Sequence, residues 1–217
     1  MNKKVLVAGI VICLLSALTA VIYITKEPVK SLVRQIVINK VISDIEGTDM
    51  SDPVFNVPAT DLLAVNGEED LSIDLSGYDE TCELHLAGLL EIPSIDVKEP
   101  CWIECSRQAL RYGVSIWPDS AMPWMNGNCT ILGHRNRHIS TIFCRLQEIG
   151  IGASVFFTLP TGEILRYKVY NTANAAPQEI EALICRRASK ERQLTIITCA
   201  TELGAGYRFL AICRPSD

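Results

Sequence analysis

The segment Leu194-Thr195-Ile196-Ile197-Thr198-Cys199 constrains the fold of this chain more than any other. Its strand-like alternation of branched residues carries a cysteine to the strand's end. Arg208 follows nine residues on, and Gly133-His134-Arg135 lies sixty-five residues earlier, behind the apolar run Cys129 to Leu132. A thiol, an imidazole and a guanidinium are thus each expected at a strand end or within a strand. A thiol that acts on an acyl group needs a proton partner, and the oxyanion it creates needs a cation or donor.

The segments around this run are of the same kind. Leu84 to Ile92 reads as a strand ended by Pro93, and Ile95 to Val97 resumes it. Ser154 to Leu159 and Ile164 to Tyr170 form a hairpin across Pro160-Thr161-Gly162-Glu163. Tyr207 to Cys213 is the last strand, after a loop holding Gly204 and Gly206. Helical patterns are few: a turn within Cys105 to Tyr112, a capped segment Ser140 to Ile149, and a short helix within Ala176 to Arg192. Short strands at this spacing predict a mainly β fold, a small closed barrel.

The 217 residues favour one domain plus an appendage. Residues 5–25 carry no charge and are rich in Val, Ile, Leu and Ala. About 20 apolar residues cross a bilayer as a helix, so residues 1–25 are expected to be an uncleaved membrane anchor. Lys3 and Lys4 precede the span, but Lys26, Lys30, Arg34 and Lys40 follow it, so charge alone does not place the bulk of the chain outside the cell. Residues 26–83 are expected to be a juxtamembrane helix, Glu27 to Ile45, and an acidic linker broken by Pro53, Pro58, Gly67 and Gly77. The barrel is expected over residues 84–217.

A net charge of −5 leaves no basic footprint for nucleic acid. Nine cysteines are many for this length, and eight lie beyond the span, where they could pair as disulfides or sit reduced in the core as small hydrophobes. The second is preferred. Cys101 and Cys105 lack a second ligand pair at zinc spacing, so no metal and no cofactor are expected. His138, four residues after His134, has no carboxylate near it to complete a metal set, and His85 is expected to be a structural strand residue.

Ile131-Leu132-Gly133-His134-Arg135, Thr195-Ile196-Ile197-Thr198-Cys199 and Tyr207-Arg208-Phe209-Leu210 resemble, in order and spacing, the motifs of the sortases, the membrane-anchored cysteine transpeptidases of Gram-positive bacteria. Leu90-Glu91-Ile92-Pro93 resembles that family's first barrel strand, and the resemblance covers residues 84–217. Three departures stand out: Ile196 replaces a Leu, Gly152-Ala153 replaces Gly-Asp, and Trp124 replaces a Gly, where its indole is expected to fill the groove.

The resemblance implies a closed barrel of about eight strands with short helices, preceded by a transmembrane helix, with the catalytic domain outside the cell membrane. It implies Cys199 as nucleophile, His134 as general acid and base, Arg208 as oxyanion and substrate stabiliser, and Thr198 in substrate binding. The substrate would be a surface or pilin protein bearing an LPXTG-like sorting signal, cut after Thr. The acceptor would be the amine of cell-wall peptide or of a pilin lysine. Pilin-polymerising members carry an Asp-Pro-aromatic lid, which Asp52, Pro53 and Phe55 match in part, although an Asp-Pro turn in a linker explains the same residues. A barrel that binds or assembles without catalysis is the alternative of another class.

Overall fold

The computed structural model describes residues 32, 34–45, 53–58, 81–135, 142–184, 191–204 and 206–216. The apolar stretch 5–25, Asp52, His138, Ser140 and Cys185 lie outside these residues. Among the described residues no helix is long and apolar enough to cross a membrane.

Nine strands form the scaffold: β1 (Val54–Pro58), β2 (Thr81–Ile92), β3 (Val97–Trp102), β4 (Val114–Ile116), β5 (Gly127–Leu132), β6 (Ser154–Thr158), β7 (Ile164–Ala175), β8 (Arg192–Cys199) and β9 (Arg208–Pro215). They are ordered β1-β2-β3-β4-β5-β8-β9-β7-β6, and β6 pairs back onto β2. Strands β2 to β9 therefore close a barrel of eight, with β1 hung on the outside of β2. Closure removes the free edges that an open sheet would expose. The β5–β8 pairing is parallel, and β8–β9 and β9–β7 are antiparallel. The interior is filled by alternate residues of every barrel strand, among them Leu90, Cys101, Val114, Ile131, Phe157, Tyr167, Ile196 and Ala211.

Two further apolar clusters lie on the outside. One gathers Ala175, Ile197, Leu210 and Ile212 of the sheet under α3 (Pro177–Ile184). The other joins Val41 and Ile45 of helix α1 (residues 34–45) to Phe55, Val57, Leu84, Leu86 and Trp102. Tyr112 and Ala109, at and beside α2 (Arg107–Arg111, capped by the Ser106 hydroxyl), complete it.

The second outer cluster changes the expected picture of the chain before residue 84. Val54–Pro58, expected to be linker, is a strand in register with Thr81–His85, and β2 begins three residues before the expected barrel boundary. The expected juxtamembrane helix is seen over its described part, residues 34–45, and buries one apolar stripe. Ile38, Val41 and Ile45 are buried, whereas Leu32 and Ile36 are each 60% exposed. Arg34 lies on the buried stripe, bonded to Glu99 at 2.7 Å and to the Arg111 carbonyl at 3.0 Å. Burial pushes the Glu99 carboxyl up while the Arg34 charge pulls it back down.

Over its described part, residues 142–149, the helix expected from Ser140 to Ile149 is instead a run of turns leading into a 3₁₀ turn, Leu146–Glu148. Its apolar residues Phe143, Leu146 and Ile149 are spaced by three, which suits a three-residue turn as well as an α-helical face. All three are buried.

Candidate active site

Strand parity decides which side chains of β8 and β9 reach the site. On β8, Leu194 and Ile196 point into the barrel, and Ile197 points to the outer cluster beneath α3. Cys199 shares the parity of Ile197 and so lies on the outer face, half-buried at the strand's end. On β9, Phe209, Ala211 and Cys213 face inward, and Leu210 and Ile212 face outward. Arg208 shares the outward parity and sits directly opposite Cys199 in the ladder.

The imidazole comes from the parallel neighbour. Leu132 is paired with Ile197, and the Gly133 N–H donates to the Ile197 carbonyl at 3.3 Å. Extended two residues beyond Leu132, that register brings His134 level with Cys199. The Thr198 hydroxyl, buried, donates to the Gly133 carbonyl at 2.9 Å and ties the two strand ends together. Thr198 is thus placed beneath the site, not on its open face. Gly133 is required by close packing: a Cβ there would come within 2.7 Å of the Phe143 ring. The Phe143 N–H in turn donates to the His134 carbonyl at 3.1 Å. Burial lowers the His134 imidazole below its usual range, which favours the neutral ring at neutral pH.

Arg208 is half-buried and donates one N–H to the Tyr207 carbonyl at 3.0 Å. A guanidinium carries five donors, so it can serve further acceptors on the open face. Beside the row the outer face is apolar: Ile197, Leu210 and Ala175 are buried under α3, with Leu132, Leu183 and Trp117 packed against them. One wall is α3, whose last carbonyls are held by buried polar residues of the sheet. Asn128 donates to the Ile184 carbonyl at 3.2 Å and Thr130 to the same oxygen at 3.3 Å. The Thr195 hydroxyl completes the set by donating to the Asn128 oxygen at 2.8 Å. Helix ends leave carbonyls without intrahelical partners, and here side chains of β5 satisfy them.

The seven described cysteines, Cys82, Cys101, Cys105, Cys129, Cys144, Cys199 and Cys213, are all free. Cys101, Cys129 and Cys213 are buried, and burial pushes the Cys129 thiol well up and the Cys213 thiol up to about 12. Among the described residues no group of three or more His, Cys, Asp or Glu side chains is placed to hold a metal ion.

Two expected contributions fall elsewhere. Trp124 stands three residues before β5 begins, whereas the site lies past that strand's other end. Six residues at about 3.3 Å each put roughly 20 Å between them, so the indole, 45% exposed, does not fill this groove. Phe55 packs edge-on against Trp102, ring centroids 5.9 Å apart, on the outside of β2. Three strands separate β2 from β8 in either direction around the barrel, so Phe55 lies on the side opposite Cys199. The Pro53 carbonyl accepts from the Leu86 N–H at 2.9 Å, which continues the same packing.

Sequence reasoning gave no role to Arg135, Gln147 or Glu202. Arg135 donates to the Cys199 carbonyl at 3.3 Å, pairs with Glu202, and donates to the Gln147 side-chain oxygen at 2.8 Å. Its place beside His134 was a usable signal. Gln147 and Glu202 lie in unrelated turns and offered none.

A family model described as the sortase domain matches residues 90–216. Sortase D of Bacillus subtilis is 30% identical over 113 residues, 52% of this chain and 54% of its own length. Sortase A of Staphylococcus aureus is 28% identical over 116 residues, covering 52% of this chain and 55% of its own. The chain thus spans about half the length of the curated relatives it matches. Among solved structures, sortase C of Streptococcus pneumoniae superposes with a TM-score of 0.55 at 22% identity, covering 61% of this chain and 69% of that one. A Clostridium perfringens sortase D5 transpeptidase gives 0.53 at 23%, covering 61% and 79%. At such identities the structural likeness speaks for the fold.

Proposed function

This chain belongs to the sortase family, and on that premise we propose that it is a cysteine transpeptidase that cuts an LPXTG-like sorting signal after Thr and joins the new end to an amine. One observation carries the proposal: Cys199 and Arg208 face each other across the β8–β9 ladder, with His134 brought level by the β5–β8 register, on one outward face.

The steps follow from the groups present. The Cys199 sulfur attacks the Thr carbonyl carbon while its proton passes to the neutral His134 ring. Arg208 donates to the oxygen on which charge collects. The C–N bond then breaks, and His134 returns the proton to the departing amine, leaving a thioester on Cys199. An incoming amine attacks that thioester, gives its proton to His134, and the thiol is regenerated.

The acceptor we favour is cell-wall peptide. Transfer to a pilin lysine under an Asp52-Pro53-Phe55 lid is less well supported, because Phe55 is packed on the far side of the barrel. Residues 5–25 would anchor the enzyme in the cell membrane with the barrel outside. The test is to incubate residues 32–217, a start that keeps α1 on its barrel, with Leu-Pro-x-Thr-Gly-like peptides and several amines. Cleavage after Thr with amine-dependent product supports the proposal. No turnover of any peptide, with Cys199 still reactive toward a thiol probe, would favour a binding module instead.

A further inference from the structure

We infer that Arg135 is a positioning residue whose guanidinium, held by Glu202 and Gln147, fixes the main chain at Cys199 in register with His134. The inference rests on the transpeptidase reading, because it gives Arg135 a purpose only if thiol and imidazole must meet.

The geometry sets the need. The β5–β8 ladder that aligns the two strands stops at Leu132 and Ile197, with one further bond from Gly133. His134 and Cys199 both lie beyond it. Two contacts bracket His134 there. On one side the Thr198 hydroxyl donates to the Gly133 carbonyl, and on the other Arg135 donates to the Cys199 carbonyl. Without the second contact, the segment carrying His134 is tied to β8, among the described residues, through residue 133 alone.

The guanidinium itself is held from two turns. Its Nη1 also meets the Glu202 carboxylate in the 3₁₀ turn Thr201–Leu203, and its Nη2 meets Gln147 in the 3₁₀ turn Leu146–Glu148. The Gln147 amide donates to the other Glu202 oxygen and closes a ring of three side chains. The Gln147 bond is also the first cause holding the Glu202 carboxyl below its usual range, so the ring keeps its charge near neutral pH. A planar fork donates from separate nitrogens in fixed directions, whereas an ammonium donates from a single atom. Exposed ion pairs add little to stability, so the contribution expected of this ring is alignment.

The test uses the full chain in detergent micelles, in wild-type, Arg135→Ala, Arg135→Lys and Glu202→Gln forms. Misplacing reacting groups by an ångström can cost about 10²-fold. Arg135→Ala is therefore expected to lower kcat for peptide cleavage about 10- to 100-fold with KM nearly unchanged. Arg135→Lys should recover only part of this, and Glu202→Gln should fall between. Site-resolved alkylation of Cys199 against pH gives a readout that needs no substrate. The inflection that wild type owes to His134 should flatten in Arg135→Ala. An unchanged kcat and an unchanged inflection would overturn the inference, and so would a raised KM at constant kcat, which would make Arg135 a substrate contact. If wild type cleaves no peptide, the transpeptidase reading fails, and the alkylation profile alone still decides for or against the clamp.

Discussion

The two faces of the β8–β9 ladder show how one short sequence yields both a packed core and the row proposed to react. The inward face holds Leu194, Ile196, Ala211 and Cys213, all sealed in the barrel. The outward face holds Ile197, Leu210, Cys199 and Arg208, apolar at its middle and chemical at its end. Cys213 and Cys199 are the same residue type on adjacent strands. Burial pushes the first thiol up to about 12 and leaves it inert packing, while the second sits half-buried opposite a guanidinium. Parity and distance from the strand end separate a structural thiol from the one proposed as nucleophile.

The largest expected effect would break that contrast directly. Cys199→Ala should abolish cleavage and transfer while the barrel stays folded, as circular dichroism and a melting curve would show. Cys213→Ala should do the reverse, keeping turnover and costing roughly 1 kcal/mol, the scale of a small deletion in a packed core. Equal activity in the two variants would remove the distinction between the faces.

Next in size, His134→Ala should lower turnover by about 10²–10⁴-fold, the usual contribution of a placed acid–base group. His138→Ala should change it little, and a larger loss at His138 would move the imidazole role. Arg208→Lys keeps the charge and loses the fork, and removing an oxyanion donor costs about 10²–10³-fold. Lys should recover only part of that. A wild-type rate in Arg208→Lys would reduce the outward guanidinium to a general charge.

The smallest effect concerns pH. Burial lowers the His134 imidazole, so the folded protein takes up that proton at lower pH than the unfolded chain, whose imidazole titrates near about 6.5. The acid limb of turnover assigned to His134 should therefore fall below about pH 6.5. The stability linked to this group should be complete above that value and decline as pH falls through it. A limb above pH 7 that vanishes in His134→Gln would contradict the neutral ring.

Much of this was legible in the sequence. Pro160-Thr161-Gly162-Glu163 marked the turn of β6 and β7, and the alternation in Leu194 to Cys199 gave β8 and its parity. The order of Gly133-His134, Thr198-Cys199 and Arg208 gave the row. What was not legible depends on distant partners. Val54–Pro58 is a five-residue stretch closed by proline, and only β2 and Trp102 make it a strand. On α1, Arg34 counted only among the charges that follow the apolar stretch, because nothing local announces that Glu99 waits for it on the barrel's outer wall. The Arg135 ring likewise joins three segments that approach one another only once the barrel is closed.

The most direct measurement is to trap the acyl intermediate. A Leu-Pro-x-Thr-Gly-like peptide is mixed with the protein without added amine, the reaction is quenched in acid, and the protein is digested and mapped by tandem mass spectrometry. One adduct is expected, a thioester joining the Thr carboxyl end of the peptide to Cys199, lost in Cys199→Ala and released by added amine. An adduct on any other cysteine, or amine-dependent product from the Cys199→Ala protein, would contradict it.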